Sequence, residues 1–196
     1  MRARSFVFAL PLLLGACGYN DIQSLDERAA SAQKQISVQL QRRADLVPNL
    51  VNTVKGFAAQ EAEVFETVAK ARAGLAGAVS GGNVAEMANA NQNLTGALGR
   101  LLAISENYPQ LKSDQNFLRL QDELTGTENR IAVSRTDYNT VVQEYNAYIR
   151  KFPQVLTAKV IGSKPREYFD VTNPGAREAP TVDFSKTPAK TPAKTP

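Results

Sequence analysis

Residues 117–152 read FLRLQDELTGTENRIAVSRTDYNTVVQEYNAYIRKF. Phe117, Leu124, Ile131, Tyr138, Tyr145 and Phe152 recur every seven residues without a miss. Leu120, Val141 and Tyr148 fall on the neighbouring seam position, as do Thr127 and Ser134. Two positions per heptad are the signature of a helix that presents one stripe to a partner helix. The stripe predicts one helix of roughly 40 residues, about 60 Å long. Ser113 is placed to cap its start, since a hydroxyl there accepts from an unpaired N–H. Pro153 stops it, having no N–H to give and a ring that clashes with the preceding turn.

The same spacing runs upstream. Ile22, Leu25, Ala29, Ala32, Ile36 and Leu40 form a first stripe. Val47, Leu50, Val54, Phe57, Val64, Val68, Ala71 and Leu75 form a second, and Leu94, Leu98, Leu101, Ser105 and Tyr108 a third. Ser80-Gly81-Gly82-Asn83 and Tyr108-Pro109 break the pattern. Pro48 leaves two readings open: it sits in the first turn of a new helix capped by Asp45, or it kinks one long helix. Residues 21–152 are therefore expected to be all-α, helical almost throughout, with long heptad-patterned helices. Residues 153–184 interleave Val155, Val160, Ile161, Tyr168, Phe169, Val171, Val182 and Phe184 with Gly, Pro and Lys, which predicts an extended arm packed on the bundle. Residues 185–196 repeat Lys-Thr-Pro-Ala. A Pro every fourth residue with nothing apolar to bury predicts a disordered tail.

The first 16 residues have the layout of a secretory signal peptide: Arg2 and Arg4, an apolar run from Phe6 to Ala16, and small residues at its end. The run is too short to span a bilayer, which takes about 20 residues. Leu14-Gly15-Ala16-Cys17 resembles the lipobox of bacterial lipoproteins. That resemblance implies cleavage before Cys17, acylation of its thiol, and residues 17–20 as a tether to membrane lipid. Two or three acyl chains anchor stably where one does not. Gly18, where an Asp would resemble an inner-membrane retention signal, leans the expectation towards the outer membrane of the bacterial envelope, with the chain facing the periplasm.

Composition limits the chemistry. The 196 residues contain no His, no Trp and one Cys. The commonest general base and metal ligand are missing, and one thiol makes neither an intrachain disulfide nor a Cys-based zinc cluster. The formal charge of +4 falls to +2 without Arg2 and Arg4, and Lys186, Lys190 and Lys194 lie in the tail. A near-neutral globular part gives no footprint for nucleic acid. No nucleophile motif is present, and Gly81-Gly82 lacks the Lys-Ser/Thr of a phosphate loop.

Gln41-Arg42-Arg43-Ala44-Asp45-Leu46-Val47-Pro48-Asn49-Leu50-Val51, Val54-Lys55-Gly56-Phe57 and Ala71-Arg72 together resemble the LemA family. So do Glu106-Asn107-Tyr108-Pro109-Gln110-Leu111-Lys112, Asn116-Phe117, Glu128-Asn129-Arg130-Ile131-Ala132, Arg135, Tyr138-Asn139, Tyr145-Asn146 and Phe152-Pro153. The resemblance covers roughly residues 18–184. It implies a four-helix up-and-down bundle outside the cytoplasm, tethered at its N-terminus, and no reaction. The family's tether is usually an uncleaved membrane helix, from which this lipobox departs.

The polar residues invite two readings. Glu61 falls on the second stripe, seven residues from Val54 and from Val68. A carboxylate on an apolar face needs a partner, so an Arg, Arg72 or Arg130 first, is expected within reach. Glu61, Arg72, Glu106, Glu128 and Arg130 are accordingly the candidates for a buried polar network, either a register-fixing layer or a site. Carboxylate pairs such as Glu106 and Glu128 could hold a di-metal centre, but such bundles use Glu-x-x-His and this chain has no His. No catalytic residue, metal or cofactor is assigned. Tyr138, Tyr145 and Tyr148 with Asn139 and Asn146 suggest either core aromatics or a ligand groove, the two Asn placed to bond a neighbouring helix. The expected function is a membrane-anchored interaction or scaffold module of the envelope, not an enzyme, with an envelope protein partner and possible self-association through helix faces. The alternative is an envelope small-ligand receptor or hydrolase with a Glu/Arg/Tyr site inside the bundle.

Overall fold

The computed structural model describes residues 18–170. The expected signal peptide, Cys17, the expected arm beyond Asp170 and the Lys-Thr-Pro-Ala tail lie outside the described residues. Among the described residues six helices follow one another: α1 (Tyr19–Lys55), α2 (Ala62–Gly81), α3 (Val84–Ser105), the one-turn α4 (Pro109–Lys112), α5 (Gln115–Tyr148) and α6 (Gln154–Ile161). Among the described residues there is no strand. The protein is all-α, and none of these helices is long and apolar enough to cross a membrane.

Side-chain bonds give the helix directions. Arg28 meets Glu144 at 3.2 Å and Arg43 meets Glu128 at 2.5 Å, so α1 and α5 run antiparallel along their length. The Nε of Arg72 donates to the Ala44 carbonyl at 2.9 Å, and Lys55 lies over the Phe65 ring, so α2 runs back along α1. Ser37 reaches Met87 and Arg43 reaches Asn91, so α3 runs parallel to α1. The main core draws Ile36, Leu40, Val47 and Leu50 from α1, Val68 and Leu75 from α2, Leu94 and Leu101 from α3, and Phe117, Leu124, Ile131 and Tyr138 from α5. A smaller cluster of Ile22, Tyr145, Ile149 and Ala158 closes the end where the chain enters.

Pro48 lies inside the single helix α1, which settles the two readings in favour of a continuous helix. The turn after α2 falls at Gly82, whose φ of 72° suits a residue without a Cβ. Asn83 then caps α3 by accepting from the Glu86 N–H. The cap of α5 is Asp114, not Ser113. Its carboxylate accepts from the Phe117 N–H at 2.9 Å, while the Ser113 hydroxyl donates backwards to Pro109 and Gln110.

Three further expectations fail for physical reasons. The α5 stripe holds from Phe117 to Tyr145, but Phe152 is exposed, and Val142, not Val141, is fully buried. A straight helix lags a seven-residue repeat by about 20° per heptad, so the buried positions slide forward to Val142, Asn146 and Ile149. The second stripe is not one helix: residues 56–61 break it, Phe57 turns outward, and Ala58 and Phe65 take the buried places. The arm does not begin as extended chain at residue 153. Residues 154–161 form α6, bounded by Pro153 and by Gly162 at a φ of 74°.

Candidate functional site

Most of the polar residues that the sequence singles out lie apart. Glu61 precedes the first turn of α2, half-buried, with its carbonyl accepting from the Phe65 N–H. Among the described residues it has no ion pair with Arg72 or Arg130. The 56–61 break resets the helical phase, so the seven-residue spacing from Val54 no longer places Glu61 on the buried seam. Glu106 is exposed and pairs with Lys112 across the short turn between α3 and α5. Arg130 is exposed on α5. Glu61, Arg72, Glu106, Glu128 and Arg130 therefore do not form one buried network.

Arg72 has a different task. Pro48 has no N–H, so the carbonyl of Ala44, four residues earlier in α1, has no intrahelical donor. The Arg72 Nε supplies one at 2.9 Å, joining α2 to α1 at the point the proline leaves open. A charged donor to a carbonyl contributes about 1.5–3 kcal/mol. Arg72→Leu is expected to cost about 1–2 kcal/mol in urea unfolding, and clearly less in a Pro48→Ala background, where the restored backbone N–H at position 48 takes over the Ala44 carbonyl. Equal costs in both backgrounds would show that the pairing with Pro48 is not what Arg72 serves.

Glu128 meets a residue outside the expected set. Arg43, 4% exposed, sits in the middle of α1. Its Nη1 donates to Asn91 Oδ1 at 2.6 Å and lies 2.5 Å from Glu128 Oε2. This triad ties α1, α3 and α5 together at one level. Burial holds the Arg43 pKa below its ordinary value, and the Glu128 carboxylate works against that shift. The contact with Glu128 has ion-pair distance without regular hydrogen-bond angles, so charge holds it.

The Tyr/Asn face of α5 serves the chain that follows. The Asn146 side chain donates to the Arg166 carbonyl at 2.9 Å and accepts the Arg166 N–H at 2.8 Å. Asn139 does the same for Phe169, at 3.2 and 2.8 Å. Each amide imitates the edge of a neighbouring strand. Seven helical residues advance about 10.5 Å and three extended residues about 10 Å, so the Asn spacing on α5 matches the 166–169 spacing of the arm. The Tyr138 hydroxyl donates to the Glu167 carbonyl at 2.8 Å. Burial raises its pKa above the usual tyrosine value. The Arg166 guanidinium donates to Asp26 of α1 at 2.7 Å and lies over the Tyr145 ring, while the Phe169 side chain enters the main core. Asn139 and Asn146 thus bond the arm, not a neighbouring helix. An open groove of about 400 Å³ remains beyond the clamp, lined by Arg135, Asn139, Gln143 and Tyr168 among others.

The family model described as the LemA family matches residues 32–184. Magnetosome protein MamQ 2 of Paramagnetospirillum magneticum is 30% identical to this chain, over 77% of this chain and 64% of its own length. Magnetosome protein MamQ of Magnetospirillum gryphiswaldense is also 30% identical, with the same 77% and 64% shares. This chain therefore spans just under two thirds of the length of these curated relatives. The matched span takes in the Pro48–Arg72 joint, the Arg43–Glu128 triad and the arm clamp, and on it the chain belongs to the LemA family.

Proposed function

We propose that this protein is a non-catalytic interaction module of the bacterial envelope, held to a membrane by an acylated Cys17 and facing the periplasm. The observation that carries the reading is where the conspicuous polar groups go. Arg43, Asn91 and Glu128 join helices, Arg72 completes the backbone at Pro48, and Tyr138, Asn139 and Asn146 hold the arm. Groups spent on the chain itself do not converge on a substrate, and a rigid bundle with patterned outer faces suits docking. The names of the relatives, which refer to the magnetosome and not to a reaction, support the same reading.

Two measurements test it. Mass spectrometry of membrane fractions is expected to find an N-terminal peptide that starts at Cys17 and carries acyl groups. An uncut peptide running through residues 10–20 would contradict the anchor. The register of α1 against α5 places the exposed Val38 and Val133 at the same level of the α1/α5 pair. Photo-crosslinkers at these positions are expected to trap one discrete protein adduct in intact envelopes. Adducts from neither position would contradict a docking role for that face.

A further inference from the structure

Helix α6 is apolar on two opposite sides. Thr157 and Ala158 are buried, and Ala158 joins Ile22, Tyr145 and Ile149 with Ile161 packed alongside, closing the entry end of the bundle. On the other side Leu156 and Val160 stand one turn apart, with Phe152 four residues earlier, and they are 56%, 86% and 81% exposed. Single exposed apolar residues are ordinary. Two on one turn of a short helix, with a third just ahead of it, are not accounted for by the bundle, since the core is closed on the opposite face.

The segment that carries this face is basic. From Tyr145 to Arg166 the chain carries Arg150, Lys151, Lys159, Lys164 and Arg166 and no acidic residue. Arg166 is engaged with Asp26, but Arg150, Lys151, Lys159 and Lys164 are exposed. Of the other acids at this end, Asp21 accepts from the Tyr148 hydroxyl, Glu144 pairs with Arg28, and Glu167 is exposed at the segment's far edge.

The same end is where the chain leaves for its N-terminal segment. Gly18 lies against α6: a Cβ on it would come within 3.0 Å of the Gln154 Cγ and 3.4 Å of the Tyr148 hydroxyl. Its φ of 113° also favours glycine. Residues 1–17, with their apolar run, therefore join the described chain beside this helix.

We propose that the outer face of α6, Leu156 and Val160, together with Phe152 just ahead of the helix and with the exposed Arg150, Lys151, Lys159 and Lys164 on the same segment, rests in the headgroup region of an anionic bilayer and sets the angle of the bundle to the membrane. This deepens the tethered reading above and rests on it. An apolar stripe flanked by cations is the pattern of a helix lying in the interface, with the apolar side chains below the headgroups and the cations against them. A second copy of the chain is a poorer occupant. It would bring two cationic faces together over an area well short of the about 800 Å² per partner of a standard interface.

The test uses the full chain with Cys17→Ser and one new thiol, Leu156→Cys, Val160→Cys or Val133→Cys, each carrying an environment-sensitive fluorophore. Vesicles of phosphatidylethanolamine and phosphatidylglycerol are added, and phosphatidylcholine vesicles serve as the neutral comparison. Labels at 156 and 160 are expected to brighten about threefold with a blue shift, less on neutral vesicles, while the label at 133 stays unchanged. Silence at 156 and 160, or an equal response at 133, overturns the proposal. So does brightening without vesicles that grows with protein concentration, which would mean that a second copy covers the face. The Cys17→Ser chains carry no acyl group, so their labels read the α6 contact alone, and the tether is read on the unaltered protein by its N-terminal peptide. Silent labels at 156 and 160 with an acylated Cys17 peptide lose the α6 contact and keep the tether. Responding labels with an uncut N-terminal peptide keep the contact and lose the acyl anchor.

Discussion

Glu128→Ala is expected to lower the unfolding free energy by about 2–3 kcal/mol, whereas Arg43→Met costs about 1 kcal/mol or less. The asymmetry follows from burial. The Arg43 side chain is 5% exposed and that of Glu128 is 45% exposed. Removing the carboxylate strands an uncompensated cation among apolar neighbours, with only the Asn91 amide oxygen to accept from it. Breaking a fully buried pair this way costs about 3–5 kcal/mol, and the exposure of Glu128 reduces the figure. Removing the cation leaves no buried charge: methionine fills much of the same volume, Glu128 turns to water, and the half-buried Asn91 amide loses one hydrogen bond. Arg43→Met in the Glu128→Ala background is therefore expected to restore most of the loss. Urea unfolding of the three variants decides it, and an Arg43→Met variant weaker than Glu128→Ala would refute the triad as described.

Asn139→Ala combined with Asn146→Ala is expected to cost about 3–5 kcal/mol, the loss of four hydrogen bonds at about 1 kcal/mol each with buried backbone groups left unpaired. Asn146 is buried, and Phe169 is held in the core by the same clamp. The double variant is expected to release the arm before the helices unfold, so trypsin should cut after Arg166 at native temperature. In the unaltered protein that bond is protected, because the Arg166 backbone is clamped by Asn146 and its side chain by Asp26. An arm that stays resistant in the double variant would mean that Phe169 alone holds it.

The long stripes were legible because period is a backbone property: Phe117 to Tyr145 are buried as their spacing dictates. Partners are less legible. Heptad position places Glu128 near a seam but not opposite Arg43, which depends on how far α1 slides along α5. Glu61 misled because apolar spacing continues through residues 54–68 while the helix does not. Gly56, with its low helix propensity, was the available sign of the break. Arg72 could not be read from side-chain patterns, since its acceptor is a carbonyl. The signal was indirect, a proline four residues after Ala44. Helix α6 escaped because Val155, Leu156, Ala158, Val160 and Ile161 show no single apolar face. The Pro before it and the Gly after it were the punctuation of a short helix. The clamp was half visible as a Tyr-Asn pair repeated after seven residues, and its occupant was the chain itself.

Arg43, Arg72, Asn139 and Asn146 hold the chain to itself. Native-state hydrogen exchange at the Arg166 and Phe169 amides tests it most directly. Both lie in a segment without helix or strand, and each N–H donates only to a side-chain amide, Asn146 or Asn139. Exchange is expected to be slowed to the level of amides in the middle of α5, with protection lost at Arg166 in Asn146→Ala and at Phe169 in Asn139→Ala. Exchange of both amides at the rate of an unstructured peptide in the unaltered protein would contradict it.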